Sequence, residues 1–248
     1  QVHPDDAYAV RHEHGKLGKT ETWYVLHAEP GAQLIYGFAH ATSSDEVRRA
    51  IESTRLEPLL HSFAPRPGDV IFVPPGTVHA IGGGILLYEL QEYSDVTYRL
   101  YDYGRVQADG TPRELHVARA LEVLRYGPAA EVRAMPLEGV PYGADGSRRV
   151  LVACRYFVEE ELHVAGEVAD TTTPASCQIL TCLGGACTIA AGGAAVRLRL
   201  GETVMLPAAL GAYTLHGEQA QLMRAYVPEE RDPLLDAWQA AQGEASQR

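Results

Sequence analysis

The chain has 248 residues, of which 46% are hydrophobic, and a formal net charge of −11. That apolar content excludes a disordered chain, and the acidic balance argues against a nucleic-acid partner, because phosphate backbones are held by basic surfaces. No apolar run approaches the roughly 20 residues of a membrane helix and no secretory segment is visible, so neither a membrane partner nor export is expected.

The pattern is mostly strand. Residues 21–27 alternate, with Glu21, Trp23, Val25 and His27 on one face and Thr22, Tyr24 and Leu26 on the other. Residues 33–37, 69–73, 85–92 and 96–101 read as further short strands separated by Gly, Pro and Asp. Two capping boxes interrupt them. Ser43-Ser44-Asp45-Glu46 opens one helix, and Thr111-Pro112-Arg113-Glu114 opens a second over 112–125. Residues 127–148 are turn-rich and read as a linker. Strands resume at 150–158, 178–183, 186–190, 196–200, 203–206 and 221–227, and a helix over about 233–242 closes the chain.

Many short strands with intervening turns predict a mainly β protein of two barrel or jelly-roll domains with a few helices. The first domain spans 1–126, the second 149–230, and 231–248 is a terminal helix and tail. A weak internal repeat supports the duplication. Gly68 is followed five residues later by Val73 and then by Pro74, Gly76 and His79; Gly201 is followed in the same way by Leu206 and Pro207. The place of His79 is taken by Ala212, so the second copy keeps the scaffold and lacks the ligand. Cys154, Cys177, Cys182 and Cys187 form no CxxC pair and read as reduced, buried thiols, in keeping with a cytoplasmic protein.

Gln1 and His3 are two residues apart, hence on one face of an extended strand, and Glu21 and His79 each begin another strand. Two imidazoles and a carboxylate make a three-ligand set with open positions, as in catalytic zinc sites; Fe²⁺, Mn²⁺ or Co²⁺ also suit it. Lys19 shares the strand face of Glu21. Asp95, Thr97 and Arg99 alternate, so that Asp95 is placed to orient Arg99, with the alternative of an exposed cross-strand ion pair.

The segment Gly68-x5-Pro74-x-Gly76-x2-His79 matches the second motif of the cupin superfamily, and Gln1-Val2-His3 with Glu21 resembles a stretched form of the first. The runs QVHPDD, GKTETWYVL, VPPGTVHAIG and QEYSDVTYRLYDYGR resemble type I mannose-6-phosphate isomerases of the short bacterial class. These motifs cover residues 1–105, and the second half resembles the degenerate C-terminal cupin of that class more loosely.

The resemblance implies a cupin carrying one Zn²⁺ per chain that interconverts mannose 6-phosphate and fructose 6-phosphate. It implies metal ligands Gln1, His3, Glu21 and His79, and active-site positions at Lys19, Glu89, Asp95 and Arg99. Lys19, Arg99 and Arg105 would meet the sugar phosphate. Longer members carry a histidine beside the lysine, where this chain has Gly18. Preceding segments wall the barrel in family members, so a segment before Gln1 is expected. The oligomeric expectation is a monomer or weak homo-oligomer. Two other readings compete: an iron dioxygenase, which would not need Lys19 or Arg99, and a non-catalytic sugar-binding or sensory cupin.

Overall fold

Asp5 accepts a hydrogen bond from the Tyr8 amide and so starts a two-turn helix, α1 (Asp6–His12), that no apolar stripe announces. In the computed structural model, which describes residues 1–129 and 132–245, the chain divides into two units, Gln1–Arg133 and Ala134–Arg248.

In the first unit α1 is followed by β1 (Glu21–Ala28), β2 (Leu34–Phe38), α2 (Ser44–Glu52), β3 (Leu60–Phe63), β4 (Val70–Val73), β5 (His79–Ile81), β6 (Ile85–Gln91) and α3 (Val117–Val123). Two three-stranded sheets form, β4-β1-β6 and β3-β2-β5, both with antiparallel neighbours. Their inner faces share one core: Trp23, Val25, Ile71 and Val73 from the first meet Leu34 from the second. Alternation along β1 therefore sends Glu21, Trp23 and Val25 inward together, with Val73 and Gln91 standing opposite Glu21. A second core, built on Val2, Phe38, Val47, Leu56, Tyr98 and Leu121, lies where α2 and α3 are packed. The Ser43 hydroxyl caps α2 through the Glu46 amide, as the capping box predicts.

The second unit adds β7 (Leu137–Pro141), β8 (Gly146–Ala153), β9 (Val158–Val164), β10 (Glu167–Thr171), β11 (Gln178–Ala191), β12 (Ala194–Arg199), β13 (Thr203–Leu206), β14 (Ala212–Tyr226) and α4 (Pro233–Ala245). Its sheet runs β12-β11-β14-β9-β8-β7, with β10 on β14 and β13 on β11. Leu162, Leu180, Leu215 and Leu222 centre its core.

Several expected boundaries move. The linker at 127–148 is not one, because β7 and the start of β8 fall within it, and the units divide after Arg133. The helix expected over 112–125 begins only at Val117. Thr111 is held by Asp109 through both its amide and its hydroxyl, Pro112 bridges Val106, and Arg113 is taken by Asp102, so the capping box never forms. Residues 96–101 join no sheet ladder beyond an isolated Val2–Tyr98 bridge. The strand expected at 150–158 is broken by a turn in which the Cys154 amide reaches Phe157 O, while 178–183 and 186–190 are one strand bulged at Gly184. The closing helix forms as α4, whose Trp238 is buried and donates its indole N–H to Leu151 O of β8; residues 246–248 of the expected tail lie outside the described residues. No helix among the described residues is long and apolar enough to cross a membrane.

The Trp238 contact sets an expectation for the second unit. Trp238→Ala should destabilise it by about 3–5 kcal/mol through lost burial and the cavity left behind. Urea unfolding followed by circular dichroism checks this, and an unchanged midpoint would mean that α4 is not part of the folded unit.

Candidate metal centre

The cluster is built by backbone pairing. Val2 exchanges two 3.0 Å hydrogen bonds with Tyr98, while the amides of Gly76 and His79 donate to the carbonyls of His3 and Gln1 at 2.8 and 2.9 Å. Residues 1–3 are thus clamped as a strand between 76–79 and 96–98, with Gln1 and His3 on one face. That face meets Glu21 at the start of β1 and His79 at the start of β5.

The ligating atoms of His3, Glu21 and His79 all lie within 4.8 Å of one another, and all three residues are buried. His3 Nε2 is 3.3 Å from Glu21 Oε1, and His79 Nε2 is 3.3 Å from Glu21 Oε2. A tetrahedral ion with bonds of about 2.0–2.1 Å has ligand–ligand edges of about 3.3 Å, so the spacing suits one. Each ring is turned by a backbone carbonyl. Nδ1 of His3 lies 2.8 Å from Val96 O, and Nδ1 of His79 lies 2.9 Å from Thr77 O. Those bonds place the N–H on Nδ1 and leave both Nε2 lone pairs facing the carboxylate. Acceptors then face acceptors, and His3 Nε2 and Glu21 Oε2 have no hydrogen-bond partner. A divalent cation among them satisfies all three groups, so the donor set fits a metal. Gln1 completes the group, its Nε2 standing 3.0 Å from His79 Nε2; a half-turn of the amide would put its oxygen there instead.

The charges are arranged to keep these groups ready for a cation. Burial first, and His3 next, lower His79 to about 3, which keeps it neutral. Burial alone would raise Glu21. The Lys19 ammonium, whose Nζ is 2.7 Å from Oε1, opposes that, and the carboxyl is held below the usual range. Trp23 stacks its indole edge-on to His79, with ring centres 5.4 Å apart, and floors the cluster on its apolar side.

Other expected site residues fall in three places. Lys19 is at the cluster. Glu89 stands opposite Trp23 across β1 and β6, at the solvent edge of the same inner face. Partial burial and repulsion from Glu21 raise its carboxyl above the usual range. Arg99 is half-buried and held by its own backbone: its amide donates to His116 Nδ1, and its Nη1 is 3.5 Å from Glu114 O. Asp95 does not orient it. Because 94–98 is not a regular strand, period-two alternation fails there; the Ser94 hydroxyl turns the chain by donating to Leu17 O and accepting from the Val96 amide. Asp95 pairs instead with Lys16 at 2.8 Å and is 79% exposed. Arg105 is held at 2.7 Å by Asp102, which also binds Arg113 through both carboxylate oxygens. The hydrogen bonds from Arg113, then from Arg105, hold Asp102 at about 2.

Three residues were not legible from the sequence. Lys16 and Gln91 line a groove of about 760 Å³ together with Asp95; Gln91 stands opposite Glu21, so the groove reaches the ligand end of β1. Only the scarcity of lysine pointed at Lys16. Asp102, three and eleven residues from the arginines it gathers, left no local signal. Gly18, expected above as a departure from longer family members, sits in a tight place. A Cβ at Gly18 would lie 2.5–2.7 Å from the backbone of Pro4, Asp5 and Asp6, which leaves no room for any side chain.

His79 carries a pH consequence. Below about pH 6.5 the unfolded chain protonates this imidazole, whereas the folded one refuses the proton until about 3. The unfolded state binds more protons across that window, so stability falls on acidification, by at most about 1.4 kcal/mol per pH unit from this group. Thermal midpoints recorded in chelator from neutral to mildly acid pH should decline, and His79→Gln should decline less steeply. Equal slopes would remove His79 as the cause.

The model of the cupin domain of mannose-6-phosphate isomerases matches residues 147–227. The Bacillus subtilis (strain 168) mannose-6-phosphate isomerase ManA is 37% identical over 217 residues, covering 88% of this chain and 67% of ManA. The Streptococcus mutans mannose-6-phosphate isomerase is 37% identical over 220 residues, with the same coverage of the two chains. The crystal structure of the mannose 6-phosphate isomerase from Bacillus subtilis has a TM-score of 0.79 at 34% identity, over 90% of this chain and 69% of that one. The mainly β, cupin-type architecture expected from the sequence is therefore the fold of this chain. By sequence identity and by fold, the chain belongs to the mannose-6-phosphate isomerase family.

Proposed function

We propose that this chain is a zinc-dependent aldose–ketose isomerase that interconverts mannose 6-phosphate and fructose 6-phosphate through an enediol(ate). The observation that carries the metal reading is the convergence of His3 Nε2, His79 Nε2 and the Glu21 carboxylate, three buried groups among which His3 Nε2 and Glu21 Oε2 find no hydrogen-bond partner. Gln1, His3, Glu21 and His79 would hold the Zn²⁺. Zn²⁺ bound there supplies a Lewis acid that polarises the sugar carbonyl and offsets oxyanion charge.

The remaining work falls to side chains. Isomerisation moves a proton between C2 and C1, which needs a base beside the cluster whose carboxyl holds a proton more readily than a free one. Glu89 meets that description: it lies within electrostatic range of Glu21, Lys19 and His3, and both burial and Glu21 raise its pKa. We assign it the proton transfer. Lys19 is a buried ammonium on Glu21 Oε1, placed to stabilise negative charge developing on the sugar oxygens. Arg99, half-buried beside the 96–98 segment that pairs with Val2, lends a second positive charge. Arg105, set by Asp102, is an exposed guanidinium suited to the phosphate. Asp95 acts only through Lys16, on the wall of the groove.

Two outcomes test this reading. In a coupled assay for mannose 6-phosphate, turnover should vanish with chelator and return with added Zn²⁺. Chelator-insensitive turnover would refute the metal role, and no turnover with a full equivalent of zinc would refute the substrate. Glu89→Gln should lower kcat by about 10²–10⁴-fold with little change in KM, the loss typical of a removed general base. An undiminished kcat would move the base elsewhere.

A further inference from the structure

The two barrels can be aligned by strand register. In the first, Glu21 of β1 stands between Val73 of β4 and Gln91 of β6. In the second, Gln178 of β11 stands between Leu206 of β13 and Tyr226 of β14. Val73 and Leu206 each lie five residues past the repeated glycine, Gly68 or Gly201. Gln178 therefore occupies the place of Glu21, Tyr226 that of Gln91, and Arg224, opposite Leu180, that of Glu89 opposite Trp23. Ala212 takes the place of His79.

The second barrel keeps a cavity at this end, of about 320 Å³, lined by Gln178, Arg224, Tyr226, Asp170 and Arg231 among others. Its chemistry is no longer that of a metal site. The Gln178 amide is spoken for at both ends, accepting from Tyr213 Oη at 2.7 Å and donating to Thr171 O at 3.2 Å. A guanidinium now stands where a cation would be repelled. Arg224 is 3% exposed, and Glu160 and Asp170 engage three of its five N–H groups.

Charge narrows the occupant. The cavity wall carries three carboxylates, Asp170, Glu229 and Asp232, against the guanidiniums of Arg224 and Arg231. Arg224 is further neutralised by Glu160 behind it. A phosphate would meet no surplus of positive charge, and a metal would meet Arg224. A neutral molecule with several hydroxyls would find donors in the arginines and Thr173, acceptors in the carboxylates, and the Tyr226 ring as an apolar face. The volume is at the lower end of the ~300–1,000 Å³ typical of small-molecule pockets, which suits a single sugar ring.

We propose that the second barrel binds a neutral, unphosphorylated sugar or polyol of monosaccharide size in this cavity, at the place where the first barrel gathers its metal ligands. The proposal is independent of the reaction assigned to the first barrel.

Methyl α-D-mannoside, a neutral sugar locked as a ring, is the probe. Saturation-transfer NMR on the full chain should detect binding with a Kd on the order of 1 mM, weak as befits a small polar ligand. Thr173 is exposed on the cavity rim, so Thr173→Trp should plug the cavity without disturbing the core and weaken binding at least about tenfold. His79→Ala should leave it unchanged. No transfer at tens of millimolar sugar, transfer that survives Thr173→Trp, or transfer lost in His79→Ala would each overturn the proposal. So would inorganic phosphate binding here in place of the glycoside.

Discussion

A carboxylate with 1% of its side chain in contact with solvent is the constraint from which the mouth of the first barrel follows. An isolated charge of that kind costs several kcal/mol to bury. Glu21 is kept ionised by a cation on one oxygen, Lys19, while imidazoles are aimed at both oxygens. The imidazoles are aimed because the carbonyls of Val96 and Thr77 hold their other nitrogens. Those carbonyls are placed in turn because residues 1–3 are threaded between 76–79 and 96–98 by backbone pairing. The site is thus a property of three neighbouring chain segments rather than of one motif. Even the narrow passage at Gly18, where the chain leaves the Pro4–Asp6 backbone to enter β1, belongs to the same arrangement.

What the sequence disclosed depended on whether a residue sat in a regular ladder. Glu21, Trp23 and Val25 lie on a paired strand, so alternation alone placed them inward, and the same rule put Lys19 beside Glu21. Asp95 and Arg99 lie in a stretch shaped by side-chain hydrogen bonds, where alternation has no meaning. The capping box at Thr111 failed for a related reason: Asp109 takes the Thr111 hydroxyl and amide that a helix start would use, while Asp102 binds the Arg113 guanidinium. In α1 a single Asp5 cap on a short helix succeeds with little apolar patterning to reveal it. Short polar side chains decided these local outcomes, and their partners are set by tertiary contact.

The two barrels show how much chemistry one register can carry. Both send a strand residue inward between a short partner ending in proline and a long closing strand, and both place apolar side chains deeper along the same face. In one, the inward residue is a carboxylate facing imidazoles. In the other it is an amide facing a guanidinium, and Arg224 with Glu160 and Asp170 closes a buried ionic network. The scaffold needs only the alternation and the glycine–proline punctuation. The polar end is free to differ because it lies beyond the apolar layer that holds each barrel together.

The scarcity of lysine acquires a meaning once both residues are located. Lys16 and Lys19 are the chain's only lysines, and they lie on the groove and on Glu21 respectively. Every side-chain amine of this protein therefore stands at one mouth, one exposed and one buried. A reagent that reacts with lysine anywhere becomes, on this chain, a reagent for the groove. Immobilising the protein through its lysines would tether it at the mouth of the first barrel.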